Sequence, residues 1–166
     1  NILDLGSGYS PFLYHCQKRG FENLYALDPS PNVCQFLETQ GIPTYNMLFE
    51  DYICLDDPIK FDIMVISHAI EHLIDPVRIL IGLRKHLTDD GFLYIDVPFQ
   101  DHLRPYNQGL HLQFFCDSSI RLVLEKCGYQ VCWSDIDHHR LIDRAFLAVF
   151  YFLYGKLFHG GSGITS

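Results

Sequence analysis

Short apolar runs alternate with amphipathic segments along most of this chain, and this alternation limits the folds that it can adopt. The runs that predict strands are residues 2–6, 23–28, 43–48, 61–67, 92–98 and 129–136. A proline or a capping residue indicates the start of each helix, at Ser10-Pro11, Pro31, Asp75-Pro76 and Asp117. Strands that alternate with helices predict βαβ crossovers. We therefore expect an α/β fold: a doubly wound, mainly parallel sheet with helices on both faces.

The spacing of apolar residues within two helical segments predicts the face that packs on the sheet. In the segment after Asp75-Pro76, we expect the buried stripe to consist of Val77, Leu80, Ile81 and Leu87. The segment after Asp117 follows the i, i+3, i+4, i+7 pattern of an amphipathic helix, with Ile120, Val123, Leu124 and Cys127.

The length of 166 residues suits one domain, which we expect to span residues 1–140. Residues 141–158 are strongly apolar, and we expect a helical segment that packs on this domain. Its uncharged part, 145–155, is shorter than the roughly 20 residues that cross a bilayer. The alternatives for this segment are a homodimer face, or contact with a membrane surface or a lipid-linked acceptor. Residues 159–166 are predicted to be a flexible tail.

The charge and the cysteines limit the partners and the cellular compartment. Lys and Arg number 12 against 20 Asp and Glu, which gives a net charge of −8, so nucleic acid is not an expected partner. The six cysteines form no C-x-x-C pair, and we expect them to be the reduced thiols of a cytoplasmic protein. Because Asn1 already lies inside an apolar run, we expect further residues to precede it.

The first predicted strand ends in two closely spaced glycines, Gly6 and Gly8. Glycine lets the backbone approach a ligand without a Cβ, and ligands of parallel α/β sheets bind at the carboxyl ends of strands. The second strand ends in Asp28, where a carboxylate can accept hydrogen bonds from ribose hydroxyls. These features predict a nucleoside site. Pro11 occupies the third glycine position of the G-x-G-x-x-G fingerprint, so a nicotinamide-dependent oxidoreductase is the less favoured alternative.

Five segments of the chain form an ordered set of motifs. They are DLGSG (4–8), LD (27–28), FDIMVISHAIEHLIDP (61–76), LRKHLTDDGFLYIDVP (83–98) and HLQFFCDSSIRLVLEKCGY (111–129). Together they resemble the class I S-adenosylmethionine-dependent methyltransferases, in the branch with an S-H-x-x-E-H-x-x-D-P segment. The resemblance covers residues 1–133, and it implies a Rossmann-like fold with S-adenosylmethionine as the cofactor.

The resemblance also implies a set of cofactor-binding residues. These are Asp4, Gly6, Ser7, Gly8, Asp28, Ser67 and His68. Asp4 and the glycine-rich backbone would hold the methionine end of the cofactor, and Asp28 would accept hydrogen bonds from the ribose hydroxyls. The residues that leave the fourth strand would line the cofactor cleft.

Two positions depart from the pattern of that family. Ser10 stands where a glycine is common, and Met47 stands where an acid near the adenine amine is common. The remaining candidates for the adenine end are Asn46, Glu50 and Asp51.

The segment S-H-A-I-E-H (67–72) is rich in groups that bind or transfer protons. If residues 68–75 begin a helix, His68, Glu71 and His72 lie on one face. The interpretation that we adopt is a polar lining of the active-site mouth. His72 or His111 then orients the methyl acceptor or takes its proton, and Glu71 fixes a histidine tautomer. In the plainest form of this interpretation, these side chains only hydrogen-bond to nearby loops.

Two further interpretations of this segment involve a metal ion. Some members of the branch carry an E-x-x-E-H metal site; here His68 replaces the first acid and His111 adds a candidate ligand, a donor set that suits Zn²⁺ or Fe²⁺. H-x-x-E-H is also an inverted metalloprotease motif, but Asp75-Pro76 ends the predicted helix too early for such a site. We assign no metal ligand from the sequence.

The motifs predict the cofactor more closely than the methyl acceptor. We expect a methyltransferase that acts on a small molecule, a sugar or a lipid-linked precursor. The loop 98–115 supplies two further candidates for contact with the acceptor, Arg104 and Tyr106. The alternative is a module that binds S-adenosylmethionine without turnover.

Overall fold

The computed structural model describes residues 1–56, 58–98, 111–132 and 134, and a five-stranded parallel sheet forms its centre. The strands are Ile2–Leu5 (β1), Leu24–Leu27 (β2), Thr44–Tyr45 (β3), Phe61–Ser67 (β4) and Leu87–Asp96 (β5). Their order is β3-β2-β1-β4-β5, and every neighbouring pair is parallel. The chain therefore winds outward from β1 in both directions, as in doubly wound folds. The predicted α/β class is confirmed.

Five α-helices and two 3₁₀ turns connect the strands in the described part of the chain. The helices are Pro11–Lys18 (α1), Pro31–Thr39 (α2), Phe49–Tyr52 (α3), Pro76–Leu83 (α4) and Asp117–Lys126 (α5), and the turns are Ile70–His72 and Arg84–His86. Proline occupies the first position of α1, α2 and α4, where its fixed φ suits the helix. Ser10 and Asp75 cap α1 and α4 through side-chain oxygens that accept backbone N–H groups.

Successive residues of the strands pack into two separate cores, one on each face of the sheet. On one face, Ile2, Ile63 and Val65 belong to a cluster with residues of α1 and α2. On the other face, Leu3 and Met64 belong to a cluster with residues of α3, α4 and α5. Because neighbouring side chains of a strand point to opposite faces, strands buried on both faces are continuously apolar. This explains why the sequence shows apolar runs rather than alternation.

Two of the predicted strands are shorter than expected or absent. The third strand is only Thr44–Tyr45, because the chain turns directly into α3, a helix that the sequence analysis missed. Of the predicted strand 129–136, the described residues 129–132 and 134 are not in a strand.

The last strand of the sheet begins earlier than predicted, at Leu87 rather than at residue 92. Leu87 pairs with Phe61 and Phe92 pairs with Ile63, so five residues of β5 advance against two of β4. The extra residues of β5 form an irregular bulge. Their sequence, T-D-D-G, is typical of a turn, which is why this part of the strand was not predicted.

The buried stripe of α4 also differs from the predicted one. Of the predicted residues, Leu80 is buried, Val77 and Ile81 are 42% and 53% exposed, and Leu87 lies in β5. Ile79 and Leu83 are buried instead. The segment is apolar on nearly every side, so spacing alone did not distinguish the two stripes.

Several expectations concern residues outside the described ranges. These are the apolar segment 141–158, the tail 159–166 and the loop candidates Arg104 and Tyr106. Within the described ranges, no helix combines the length and the apolar character needed to cross a membrane. The six cysteines are free.

Candidate active site

The glycine turn lies at the carboxyl end of β1, in the centre of the sheet. The backbone N–H groups of Gly6 and Ser7 both donate to the Leu27 carbonyl, at 2.8 and 3.1 Å. Gly6 has φ 69° and Gly8 has φ 51°, a region that favours glycine. A Cβ at Gly6 would lie 2.6 Å from the Cβ of Ala69. The turn therefore packs directly on the segment that follows β4.

Asp28 closes the adjacent end of β2 and is fixed there by backbone groups. One carboxylate oxygen accepts the Gly8 N–H at 2.9 Å, and the other accepts the Ser30 N–H at 2.9 Å. The Asn46 amide donates to the Asp28 carbonyl at 3.0 Å. Because each carboxylate oxygen has a second lone pair, the carboxylate can still accept hydrogen bonds from vicinal hydroxyls. This geometry fits the ribose of a nucleoside.

Asp4 is buried beneath the turn and pairs with Ser10. The Ser10 hydroxyl donates to the Asp4 carboxylate at 2.6 Å, while the same oxygen accepts the Leu13 N–H that begins α1. Ser10 has φ 41°, so it adopts the left-handed conformation of the glycine that is common in this position. Burial is the main cause that raises the pKa of Asp4 to about 6, and the charge of Asp28 raises it further. The sequence analysis missed this pair.

Replacing Asp4 with asparagine should make folding more stable at neutral pH. The pKa of Asp4 lies above its ordinary 3.8, so its contribution to the unfolding free energy falls as pH rises through 3.8 to about 6. Above that window, the unfolding free energy of Asp4→Asn should exceed that of the wild type by up to about 3 kcal/mol. Below pH 3.8 the difference should vanish. Urea denaturation of both proteins across this range measures it. A difference that does not change with pH would contradict the prediction.

His68 lies between two carboxylates where β4 ends. Its backbone N–H donates to the Asp96 carbonyl at 3.0 Å. Its Nδ1 lies 3.5 Å from a Glu71 oxygen, and its Nε2 lies 3.9 Å from an Asp96 oxygen. Asp96 was not predicted as a site residue, because it lies inside the apolar run 92–98; in the structure it ends β5 and pairs in register with Ser67. That position at a strand end was the available signal.

The segment after His68 is not the helix that the spacing allowed. His68 itself has φ 51°, and only Ile70–His72 forms a single 3₁₀ turn. The long helix of a metalloprotease site is therefore not formed by this segment.

Glu71, His72 and His111 nevertheless come together beside His68. The rings of His72 and His111 lie edge to face, with centroids 4.7 Å apart. Glu71 is 2% exposed, and its carboxylate oxygens accept no hydrogen bond among the described residues. The expected hydrogen bond from a histidine N–H to the Glu71 carboxylate, which would fix the tautomer, is thus not present among the described residues.

The candidates for the adenine end separate into two groups. Asn46 hydrogen-bonds to the Asp28 carbonyl, so it lies beside the carboxyl end of β2. Glu50 and Asp51 lie on α3. The half-buried side chain of Met47 packs against the core that contains α3.

Comparison with known proteins gives a family and a fold. A family model described as a methyltransferase domain matches residues 1–134. A solved S-adenosylmethionine-dependent methyltransferase from Archaeoglobus fulgidus is similar with a TM-score of 0.66 and 19% identity, over 93% of this chain and 77% of that chain. A possible histamine N-methyltransferase from Thermotoga maritima gives 0.63 and 16%, over 79% and 64%.

A sequence relative covers a much smaller part of the chain. EEF1A lysine methyltransferase 2 from Mus musculus is 33% identical over 57 residues, which are 32% of this chain and 23% of that protein. The matched segment is thus about a quarter of the relative. The family model, in contrast, matches most of this chain. The chain therefore belongs to the methyltransferase domain family, in the class I fold of the S-adenosylmethionine-dependent methyltransferases.

Proposed function

We propose that this protein transfers the methyl group of S-adenosylmethionine to a small molecule, a sugar or a lipid-linked precursor. The observation that carries the proposal is a glycine turn in direct contact with the segment that carries a polar cluster. Gly6 packs on Ala69, which precedes Glu71 and His72 in the chain. A sulfonium methyl is already a strong electrophile, so the protein has mainly to align the acceptor with it.

Hydrogen bonding and charge at the turn support the assignment of the cofactor to it. The Asp28 carboxylate is oriented by two backbone N–H groups and suits the ribose hydroxyls. The carboxylates of Asp4 and Asp96 add negative charge at the same edge of the sheet, which favours the cationic ammonium and sulfonium groups. We assign cofactor binding to Asp4, Gly6, Ser7, Gly8, Asp28, Ser67 and His68.

The cluster of Glu71, His72 and His111 is assigned to the acceptor. His72 is exposed and His111 is half-buried, so both imidazoles are accessible to solvent. Imidazole side chains exchange protons readily at neutral pH, which suits proton transfer from a hydroxyl or an ammonium group. The names of two similar proteins contain the amine acceptors lysine and histamine, which supports a search that includes amines.

The proposal is tested by binding and turnover measured separately. Calorimetric titration with S-adenosylhomocysteine, with NAD as the control, tests the cofactor site. Release of S-adenosylhomocysteine is then followed with a panel of sugars, catechols, primary amines and lipid-linked sugars. Turnover with any of these supports the proposal. Binding of S-adenosylhomocysteine without turnover favours the alternative, a module that only binds the cofactor, and binding of NAD alone favours an oxidoreductase.

Replacing His72 with alanine should lower turnover by about 100-fold or more, because a positioned proton acceptor contributes roughly that factor. The affinity for S-adenosylhomocysteine should stay within about threefold, since the residue lies outside the nucleoside turn. His15→Ala is the matched control, because His15 lies on α1, outside the cluster. Loss of cofactor affinity with unchanged turnover would indicate that His72 contacts the cofactor and not the acceptor.

A further inference from the structure

We infer that Glu71, His72 and His111 bind one divalent transition-metal ion on the acceptor side of the cleft. Their carboxylate and imidazole ligand atoms all lie within 4.8 Å of one another. The inference rests on the proposed function, because it gives the ion the task of holding the acceptor. With the ion bound, His72 and His111 orient the acceptor as ligands of the metal and do not take its proton. The sequence left a metal site in this segment as an alternative, and the structure brings together Glu71, His72 and His111 without His68.

The Glu71 carboxylate points most directly to a cation. The side chain is 2% exposed, and neither oxygen accepts a hydrogen bond from the described residues. The imidazole Nδ1 of His68 lies 3.5 Å from one of these oxygens, and the His68 side chain is itself 41% exposed. A buried carboxylate without hydrogen bonds costs several kcal/mol. A cation bound to its oxygens removes that cost.

The backbone holds His111 at this carboxylate. The N–H groups of Leu112 and Gln113 donate to the Glu71 carbonyl at 2.9 and 3.0 Å. Two hydrogen bonds from consecutive residues fix both the distance and the direction of the chain at this point. The side chain of His111, which follows β5 in the chain, is thereby brought to the 3₁₀ turn after β4. The candidate site is thus built from two separate segments of the chain.

The separation of the ligand atoms indicates which side chain would have to move for all three residues to bind one ion. Zn²⁺ holds nitrogen and oxygen ligands at about 2.0–2.2 Å, so its ligand atoms are about 3 Å from one another. The present limit of 4.8 Å is wider than that. His72 is exposed, and rotation of its side chain can bring the ring nitrogen closer, while the hydrogen bonds of Leu112 and Gln113 to the Glu71 carbonyl stay in place.

The donor set selects the kind of ion. One carboxylate and two imidazoles suit Zn²⁺ and Fe²⁺, whereas Mg²⁺ prefers oxygen ligands. Three protein ligands leave positions on the ion open, and an acceptor hydroxyl can occupy one of them. An amine acceptor is the rival occupant, because an ammonium group would also neutralise Glu71.

The experiment measures metal binding without turnover. The metal-free protein is titrated with Co²⁺, whose visible absorption bands report coordination, and with Zn²⁺ in competition. We expect one equivalent of Co²⁺ to bind, displaced by Zn²⁺. Glu71→Gln and His111→Ala should each weaken Co²⁺ binding at least about tenfold, whereas His15→Ala should not change it. Circular dichroism checks that each variant is folded.

Three results would overturn the inference. The wild type could show no Co²⁺ bands, the bands could be unchanged in folded Glu71→Gln, or a primary amine could bind in a Glu71-dependent manner without any metal. Titration with S-adenosylhomocysteine in the presence of a chelator separates this failure from that of the proposed function. If the cofactor product binds and Co²⁺ does not, only the metal site is wrong.

Discussion

Asp28→Ala is expected to weaken S-adenosylhomocysteine binding by at least about 100-fold. Charge-assisted hydrogen bonds contribute about 1.5–3 kcal/mol each, and the ribose would lose two. The substitution also removes the acceptor of the Gly8 and Ser30 N–H groups, so the turn itself loses its support. Calorimetric titration measures the affinity directly.

The control for this variant lies at the other end of the same strand. Glu22 is exposed and precedes β2, so Glu22→Ala removes one negative charge without touching the carboxyl edge. We expect its affinity to remain within about twofold of the wild type, since exposed charges far from a ligand contribute little. An affinity of Asp28→Ala equal to that of Glu22→Ala would show that the nucleoside site is elsewhere.

Gly6→Ala is expected to lower the unfolding free energy by about 2–5 kcal/mol. The left-handed φ of 69° costs a side chain about 1–2 kcal/mol, and overpacking typically adds about 1–3 kcal/mol. The overpacking arises because the new Cβ would lie 2.6 Å from that of Ala69. Urea denaturation measures the unfolding free energy. An unchanged slope of this free energy against urea concentration shows that the variant exposes the same surface on unfolding as the wild type.

Two further variants separate the two causes. Gly8 has φ 51°, but a Cβ at this position would have no neighbouring atom within 4 Å, so Gly8→Ala should lose only about 1–2 kcal/mol. Ala69→Gly removes the Cβ that the new side chain of Gly6→Ala would contact. The unfolding free energy of the double variant should therefore be higher, by about 1 kcal/mol or more, than the sum of the two single effects predicts. Strict additivity would mean that the contact does not limit this position.

The sheet was largely predictable because its strands are buried on both faces. The runs at β1 and β4 are apolar with little interruption, and turn formers bound them, so few other structures suit them. The early start of β5 was not predictable, since Asp89 and Asp90 have the composition of a turn while the bulge keeps them in the strand. The face of α4 depends on its neighbours rather than on its own spacing.

The candidate site was likewise predictable from the sequence only in part. Asp28 and the glycine turn follow from chain order, because the carboxyl ends of adjacent parallel strands meet at one edge. The meeting of Glu71 with His111 depends on two backbone hydrogen bonds between distant segments, which no local pattern encodes. The role of Ser10 was hidden because a left-handed serine is rare outside such turns.

The fixed carboxylate of Asp28 has a consequence for how fast the cofactor exchanges. Both of its oxygens are oriented by N–H groups of the chain itself, so in the proposed site the carboxylate is already oriented before any ligand arrives. Preorganisation of this kind reduces the entropy lost on binding. Spent cofactor can leave and fresh cofactor can enter without the turn having to reorder in each catalytic cycle.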